Sequence, residues 1–351
     1  MEHEIDASIK KCPMCGAGLE FDIKSGEMIC THCGHLVDIP DEDDRVARNK
    51  LTLEVLKSKP KWDDGRVFQC DNCGAKGVLQ NVMNPRCPFC NSTQIICTNE
   101  MTGTQPDAVL PFKIEKQTAA DIFTKWARGR FMTPRIFKTA DLRSQMQQLY
   151  CPSWAFTATV MCNYRARLGK VYHDKDGTHV RWFNVSGTMN GQYNDHLIQA
   201  SDQISNINFQ KLIPFDVARN VKTYRTEYLT GITAQHYTRD LETCFADFSQ
   251  MIRADMRKKI ISHHNADRVG DISIDINYVD KNFNYVLLPL YVASYQYERK
   301  TYNFFINGIS GKIVGKYPIS WWKCFLIGLG VGLLAIAGAW LGYEMGAFTT
   351  Y

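Results

Sequence analysis

Eight cysteines in four Cys-x-x-Cys pairs constrain this chain more than any other feature. The first set is Cys12, Cys15, Cys30 and Cys33, with fourteen residues between its pairs; the second is Cys70, Cys73, Cys87 and Cys90, with thirteen. Two thiolates three positions apart turn toward one ion, and two such knuckles close a tetrahedral four-sulfur site, the donor set of structural zinc. Gly16, Gly34 and Gly74 directly follow three of the pairs and permit the tight backbone needed there. Between the first two knuckles, Leu19–Ile23, a Lys24-Ser25-Gly26 turn and Met28-Ile29 read as a short hairpin. The spacing thus predicts two zinc ribbons with one structural zinc ion each. A redox Cys-x-x-Cys opens a helix after a strand and does not come as two spaced doublets, and iron–sulfur cysteines use other spacings. His32 and His35 read as surface imidazoles beside a complete ligand set, and Cys97 as a small buried hydrophobe.

The other cysteines (Cys151, Cys162, Cys244, Cys324) stand singly, and thirteen in 351 residues are too few for a disulfide scaffold. The start, Met1–Lys11, is polar and lacks an apolar signal core, so the ribbons are expected where thiols stay reduced. A hydrophobic content of 45% excludes bulk disorder. The net charge of +5 hides an asymmetry: residues 1–109 carry 12 Lys/Arg against 17 Asp/Glu, so the excess of base lies in the remainder. Each four-thiolate zinc site adds a further −2 to the acidic part. Nucleic-acid affinity comes from Lys/Arg neutralising phosphates, so a protein is the expected partner of the ribbons and nucleic acid is not. Asp41–Asp44 opens a helix-like stretch from Arg45 to Lys59, closed by Pro60; acids at its start and lysines at its end suit a solvated connector.

Cys324–Tyr343 runs twenty residues without a charge. At ~1.5 Å per residue that covers a hydrocarbon core of ~30 Å, so the sequence predicts a transmembrane helix. Trp321, Trp322, Trp340 and Tyr343 match interfacial aromatic belts. Arg299, Lys300, Lys312, Lys316 and Lys323 precede the span and only Glu344 follows it, which orients the amino-terminal side to the cytosol. Gly328/Gly332 and Gly338/Gly342 have the small-xxx-small spacing that supports homo-oligomers through the helix, although glycine is common in membrane helices in any case.

In the middle, Val109-Leu110-Pro111-Phe112 leads into an amphipathic pattern (Ala120, Phe123, Trp126, Ala127), and Tyr150–Trp154 opens an apolar strand. Leu212-Ile213-Pro214-Phe215 precedes a helical stretch from Leu241 to Ile261, and Leu287–Tyr291 opens another strand. The repeated order suggests an internal duplication. Ala155–Tyr164, His179–Val185, Ser273–Tyr278, Tyr291–Tyr297 and Tyr302–Ile306 read as strands, with turn signals at Asn307-Gly308 and Ser310-Gly311. No P-loop, His-Glu-x-x-His or Gly-x-Ser-x-Gly occurs, and no catalytic residue is assigned. His263-His264, at the end of a basic helix (Arg253, Arg257, Lys258, Lys259), read as dipole complementation in preference to metal binding, and that helix or the lysines before the span offer a face to anionic lipid headgroups.

These residues together resemble a family: bacterial single-span membrane proteins with amino-terminal TFIIB-type zinc ribbons. The resemblance rests on the cysteine doublets, Leu110-Pro111-Phe112 with Trp126 downstream, Tyr150–Trp154, and Asn307–Lys312 ahead of the terminal helix. Members often carry a primosomal-protein-N′-like helicase label, which the absence of a helicase ATP site here opposes. Similar proteins are encoded beside SPFH (band-7) and phage-shock-type membrane-stress proteins. The resemblance implies recruitment of such a partner to the bacterial inner membrane.

The expected fold is α+β: zinc ribbon 1 over 1–38, an acidic helical connector over 39–60, and zinc ribbon 2 over 61–98. A mainly antiparallel cytosolic α+β domain over 110–318, a single transmembrane helix over 319–343 and a short extracytoplasmic tail over 344–351 complete it. The expected function is a non-enzymatic, membrane-anchored adaptor whose ribbons recruit a cytosolic or membrane-associated protein; the alternative is a membrane-tethered nucleic-acid-binding or transcription-regulating protein.

Overall fold

A computed structural model describes residues 11–39, 46–57, 67–78, 87–90, 92–98, 104–138, 146–298 and 300–344. The acidic run Asp41–Asp44, Pro60, the tail beyond Glu344, Arg299 and the side chain of Cys97 lie outside the described residues. The fold is α+β with a mainly antiparallel sheet, as the sequence predicts.

Strands β1 (Leu19–Phe21), β2 (Met28–Cys30) and β3 (Leu36–Val37) form a small antiparallel sheet around the first cysteine set. The β1–β2 turn is set by Asp22, whose Oδ2 accepts from the Ser25 amide at 3.0 Å and hydroxyl at 2.9 Å, and by Gly26 at φ +77°. The connector contains β4 (Asn49–Lys50) and α1 (Leu53–Lys57). The long connector helix expected from Arg45 is therefore corrected. Residues 49–50 instead pair with a long strand of the body, and Asn284 Nδ2 donates to the Ala47 carbonyl at 2.7 Å. Thr52 Oγ1 then caps a single short helix by accepting from the Val55 amide.

The second cysteine set sits among β5 (Val67–Cys70), β6 (Lys76–Val78) and β7 (Ile95–Thr98). The body follows with β8 (Ala108–Val109), α2 (Lys116–Arg128), α3 (Arg135–Lys138), β9 (Gln147–Asp174) and β10 (Gly177–Gln199). Next come α4 (Asn206–Leu212), α5 (Val217–Asn220), β11 (Lys222–Thr223), a 3₁₀ turn (Thr226–Leu229) and β12 (Thr233–Gln235). Last are α6 (Leu241–His263), β13 (Arg268–Tyr297), β14 (Lys300–Asn307), β15 (Ile313–Gly315) and α7 (Trp321–Glu344).

The strands read from the sequence are segments of much longer ones. β9, β10 and β13 run 28, 23 and 30 residues. They form a three-stranded antiparallel arm in which Cys162 faces Met189 on one side and Ile276 on the other. Alternate residues Ala158, Val160, Cys162 and Tyr164 of β9 are buried. Over them lies α6, which presents Cys244, Phe248, Ile252, Met256 and Ile260 at helical spacing; Phe156 and Phe248 stack at 5.0 Å. Burying such side chains stabilises the arm by roughly 1.5–3 kcal/mol each.

At the base of the arm the sheet has an internal two-fold relationship. Its central order is β8-β13-β9-β12, with β13 and β9 antiparallel and each flanked by a short parallel strand. Ala108 and Val109 pair with Val286 and Leu287, as Thr233 and Ala234 pair with Leu149 and Tyr150. Pro152 lies opposite Leu287 and Pro289 opposite Tyr150, so the two prolines flank the Cys151–Leu288 pair symmetrically. The hydrogen bonds repeat as well. Lys113 and Ile114 amides donate to the Gly308 carbonyl, whose own amide donates to Pro289; Thr238 and Arg239 amides donate to Ala200, whose amide donates to Pro152. Phe112 meets Tyr291 at 5.0 Å where Tyr237 meets Trp154 at 5.6 Å.

The duplication read in the sequence is thus present, with one member corrected. The counterpart of Val109–Phe112 is Ala234–Tyr237, and Leu212–Phe215 belongs to the segment between the repeats. Asn307 Nδ2 holds that segment by donating to the Leu212 carbonyl at 3.0 Å and to Pro214 at 3.3 Å.

Candidate metal centres

In the first set the Sγ atoms of Cys12 and Cys33 lie 3.5 Å apart, as do those of Cys15 and Cys30. In the second set Cys70 and Cys90 are 3.6 Å apart, and Cys73 and Cys87 3.5 Å. Within each set all four sulfurs fall inside 4.8 Å of one another. A tetrahedral ion with Zn–S bonds of about 2.3 Å separates its sulfurs by roughly 3.8 Å. A disulfide would need about 2.05 Å. The donor sets therefore fit two structural zinc ions, each with four thiolates. All eight cysteines singled out by spacing are brought together as expected, and no further group of three or more potential metal-binding side chains gathers among the described residues.

The local backbone explains the convergence. In three knuckles the first cysteine's amide donates to the carbonyl five residues on: Cys12 to Ala17, Cys30 to His35 and Cys70 to Ala75. The glycine after the pair returns a bond to the first cysteine's carbonyl, with Gly16, Gly34 and Gly74 at φ +74°, +71° and +71°. Cys87 donates in the same way to Ser92. Amides aimed at sulfur favour thiolate. The Cys33 and His32 amides bring Cys30 down to about 6. Burial acts to lift Cys90, but the Asn72 side chain and Ser92 amide outweigh it and bring that thiol to about 7. Burial pushes Cys73 up to about 11 and raises Cys87 within the second set, just as it pushes the packing thiols Cys151 and Cys244 up to about 12, so each set pairs lowered with raised thiols.

The two centres differ in their surroundings. The first is attached by its hairpin: Phe21 packs edge-on against Tyr228 at 5.4 Å, and Lys24 pairs with Glu115 at 3.3 Å. Its metal end faces outward, with Cys15 and Cys33 exposed, Met14 72% exposed and Leu36 45%. His32 and His35 are exposed there too, as expected of imidazoles outside the ligand set. The second is packed more deeply on the body, with Cys73 its one exposed ligand. Cys70, Cys87 and Phe89 are buried with Val292 and Phe305 of the body, and Ser294 Oγ donates to the Phe89 carbonyl at 2.9 Å. Strand β6 also pairs with β12, so this centre continues the large sheet. That attachment joins residues far apart in the chain and has no local sequence signal.

Three residues of the basic helix end have partners in the arm and its helix. Arg253 donates to the Ile274 carbonyl at 2.7 Å, Lys259 pairs with Asp255 at 2.9 Å, and His264 meets the Tyr164 hydroxyl at 3.0 Å. Helix α7 is long and apolar enough to cross a membrane, and none of its Trp321–Leu341 stretch is buried in the protein.

Two four-thiolate centres, an α+β body and one terminal apolar helix define the class as a zinc-ribbon protein with a candidate membrane span. Residues 10–39, the first centre, match the Trm112p-like protein family. The chain is 30% identical over 318 residues to the uncharacterized protein YdjG of Bacillus subtilis (strain 168), covering 88% of this chain and 90% of that one, and it belongs to that protein's family. No solved structure matches the chain.

Proposed function

We propose that this protein is a membrane-anchored, non-enzymatic adaptor that uses its first zinc centre to recruit a protein partner. Helix α7 holds it in the bacterial cell membrane in a single pass, with the zinc centres and the α+β body on the cytosolic side. The observation that carries the reading is the contrast between the centres. The second is packed into the body through its knuckles, whereas the first rests on the body through its hairpin and turns Met14 and Leu36 outward. Closed four-thiolate sites leave no open position for a reacting water, which favours a structural role for both ions. An exposed methionine beside a rigid metal knuckle suits an adaptable protein contact. The family resemblance makes an SPFH (band-7) or phage-shock-type membrane-stress protein the candidate partner, and Gly328 and Gly332 supply a face for self-association in the bilayer.

The test is gentle detergent extraction of tagged full-length protein, with mass spectrometry and a nucleic-acid stain on the eluate. A stoichiometric SPFH or stress protein that is lost with Cys12→Ser/Cys15→Ser and kept with a distant surface change supports the adaptor. Nucleic acid enriched without such a protein overturns it.

A further inference from the structure

The junction between the body and α7 carries a second apolar surface. Three successive carbonyls of the loop after α2 meet the first turn of α7. The Ser320 amide donates to Met132 at 2.8 Å, and Lys323 Nζ donates to Phe131 at 3.0 Å and to Thr133 at 2.7 Å. The Lys323 ammonium also lies 5.7 Å from the centre of the Phe131 ring. This loop therefore runs level with the first turn of the helix. On it, Phe131 is 71% exposed; five residues on, in α3, Ile136 is 63% exposed, and Ile319, Trp321 and Trp322 at the entry to α7 are exposed as well.

Packing and hydrogen bonds anchor the loop and α3 to the body. Phe137, next to Ile136, is fully buried and packs on Phe123 at 5.8 Å and on Tyr295 at 5.3 Å, which turns Ile136 outward. Thr133 is buried, and its hydroxyl donates to the Arg130 carbonyl at 2.7 Å. Arg130 lies over the rings of Trp126 at 4.8 Å and Tyr317 at 5.1 Å, which fixes the start of the loop to the segment leading into α7. Large apolar side chains grouped in this way mark a contact surface. A lysine in the first turn of an apolar helix ordinarily stretches toward the aqueous boundary. Here backbone carbonyls receive it, so its charge is satisfied at the depth of the loop itself.

We infer that Phe131 and Ile136 insert into the interfacial layer of the lipid bilayer, at the depth of Trp321 and Trp322, and seat the body directly on the membrane. The occupant is lipid because the surface is continuous with α7, and aromatic and aliphatic side chains flanked by basic groups suit the headgroup–acyl boundary. The inference rests on α7 crossing the membrane. It adds that the body is held at a fixed orientation to the bilayer instead of swinging on a tether.

The experiment uses the full-length chain in nanodiscs of phosphatidylcholine and phosphatidylglycerol, with an environment-sensitive coumarin amino acid placed singly at 131, 136, 207 or 333. Acyl-brominated phosphatidylcholine is the quencher. Position 333 reports the span, and position 207, where Ile207 is exposed on α4, reports an exposed apolar side chain outside the loop after α2. The expected result is strong quenching at 333, several-fold more quenching at 131 and 136 than at 207, and little at 207. Quenching at 333 with 131 and 136 no higher than 207 overturns the seat and leaves the span standing. An unquenched 333 removes the span reading and the seat with it.

Discussion

The ring of Phe21, in the hairpin of the first zinc centre, meets the ring of Tyr228 edge-on at 5.4 Å with an interplanar angle of 65°. Tyr228 lies in the 3₁₀ turn just before β12, the strand that opens the second repeat of the body. Leu19, Met28 and Cys30 share one apolar cluster with Tyr228 and Tyr150. The first centre is therefore presented by the repeat architecture at a defined angle, with the hairpin inward and the metal outward.

An edge-to-face pair contributes roughly 0.5–1.5 kcal/mol beyond its buried area. Phe21→Ala is expected to loosen the docking without emptying the zinc site. Amide exchange across 19–30 should accelerate by about tenfold for each ~1.4 kcal/mol lost, while two zinc ions per chain remain by elemental analysis.

The centres should respond differently to ligand loss. Structural zinc contributes apparent free energies of about 10–16 kcal/mol in isolated fingers, enough to decide whether a small module folds. Cys15→Ser should leave one zinc per chain and an intact body, because Cys15 is exposed on the outer knuckle. Cys70→Ser should also leave one zinc, but it should lower the melting temperature of the body, since Cys70 is buried beside Val292 and Phe305. Zinc content and thermal melts on both variants check the contrast.

Gly308 and Ala200 occupy matching places in the two repeats, yet they are not interchangeable. A Cβ at 308 would lie 2.6 Å from Phe112 Cδ1 and 2.9 Å from Pro289 Cβ. Gly308→Ala is expected to destabilise the fold by about 1–3 kcal/mol, the usual cost of overpacking. Urea melts of wild type and variant at pH 7 measure it.

Burial holds the His196 imidazole below its ordinary range, with Phe248 at 5.7 Å. Below pH ~6.5 an unfolded-state histidine takes up a proton that the folded state resists. The native protein therefore loses stability as pH falls from ~6.5 toward the depressed folded value, and this group contributes no pH dependence above that window. His196→Phe should flatten the fall between pH 6.5 and 5 in chemical melts of the detergent-solubilised chain.

The metal centres were legible because their signal is local: cysteine spacing and Gly16, Gly34 and Gly74 define each knuckle within a few residues. The apolar helix was legible for the same reason. The long strands read as fragments because β9 and β13 change from residues buried on both faces near Tyr150 and Leu288 to one-sided alternation along the arm. The repeat is visible in Pro152 and Pro289, but proline marks Pro214 where the second repeat does not open. Register instead sets the match, and His236 stands where Pro111 does. Asn49-Lys50 reads as helix in the sequence because a two-residue pairing to Phe283 and Asn282 leaves no periodicity of its own. Phe131 carries no sequence signal either, since its meaning depends on Lys323 nearly two hundred positions away.

The most direct test of the adaptor alters the outward face of the first centre and nothing beneath it. Met14→Glu/Leu36→Glu is introduced into the tagged full-length chain, and bound protein is quantified after mild crosslinking in cells and detergent extraction. The account predicts that two zinc ions per chain and membrane association persist while the stoichiometric partner falls at least tenfold. Undiminished partner capture by this variant, at full zinc content, would contradict it.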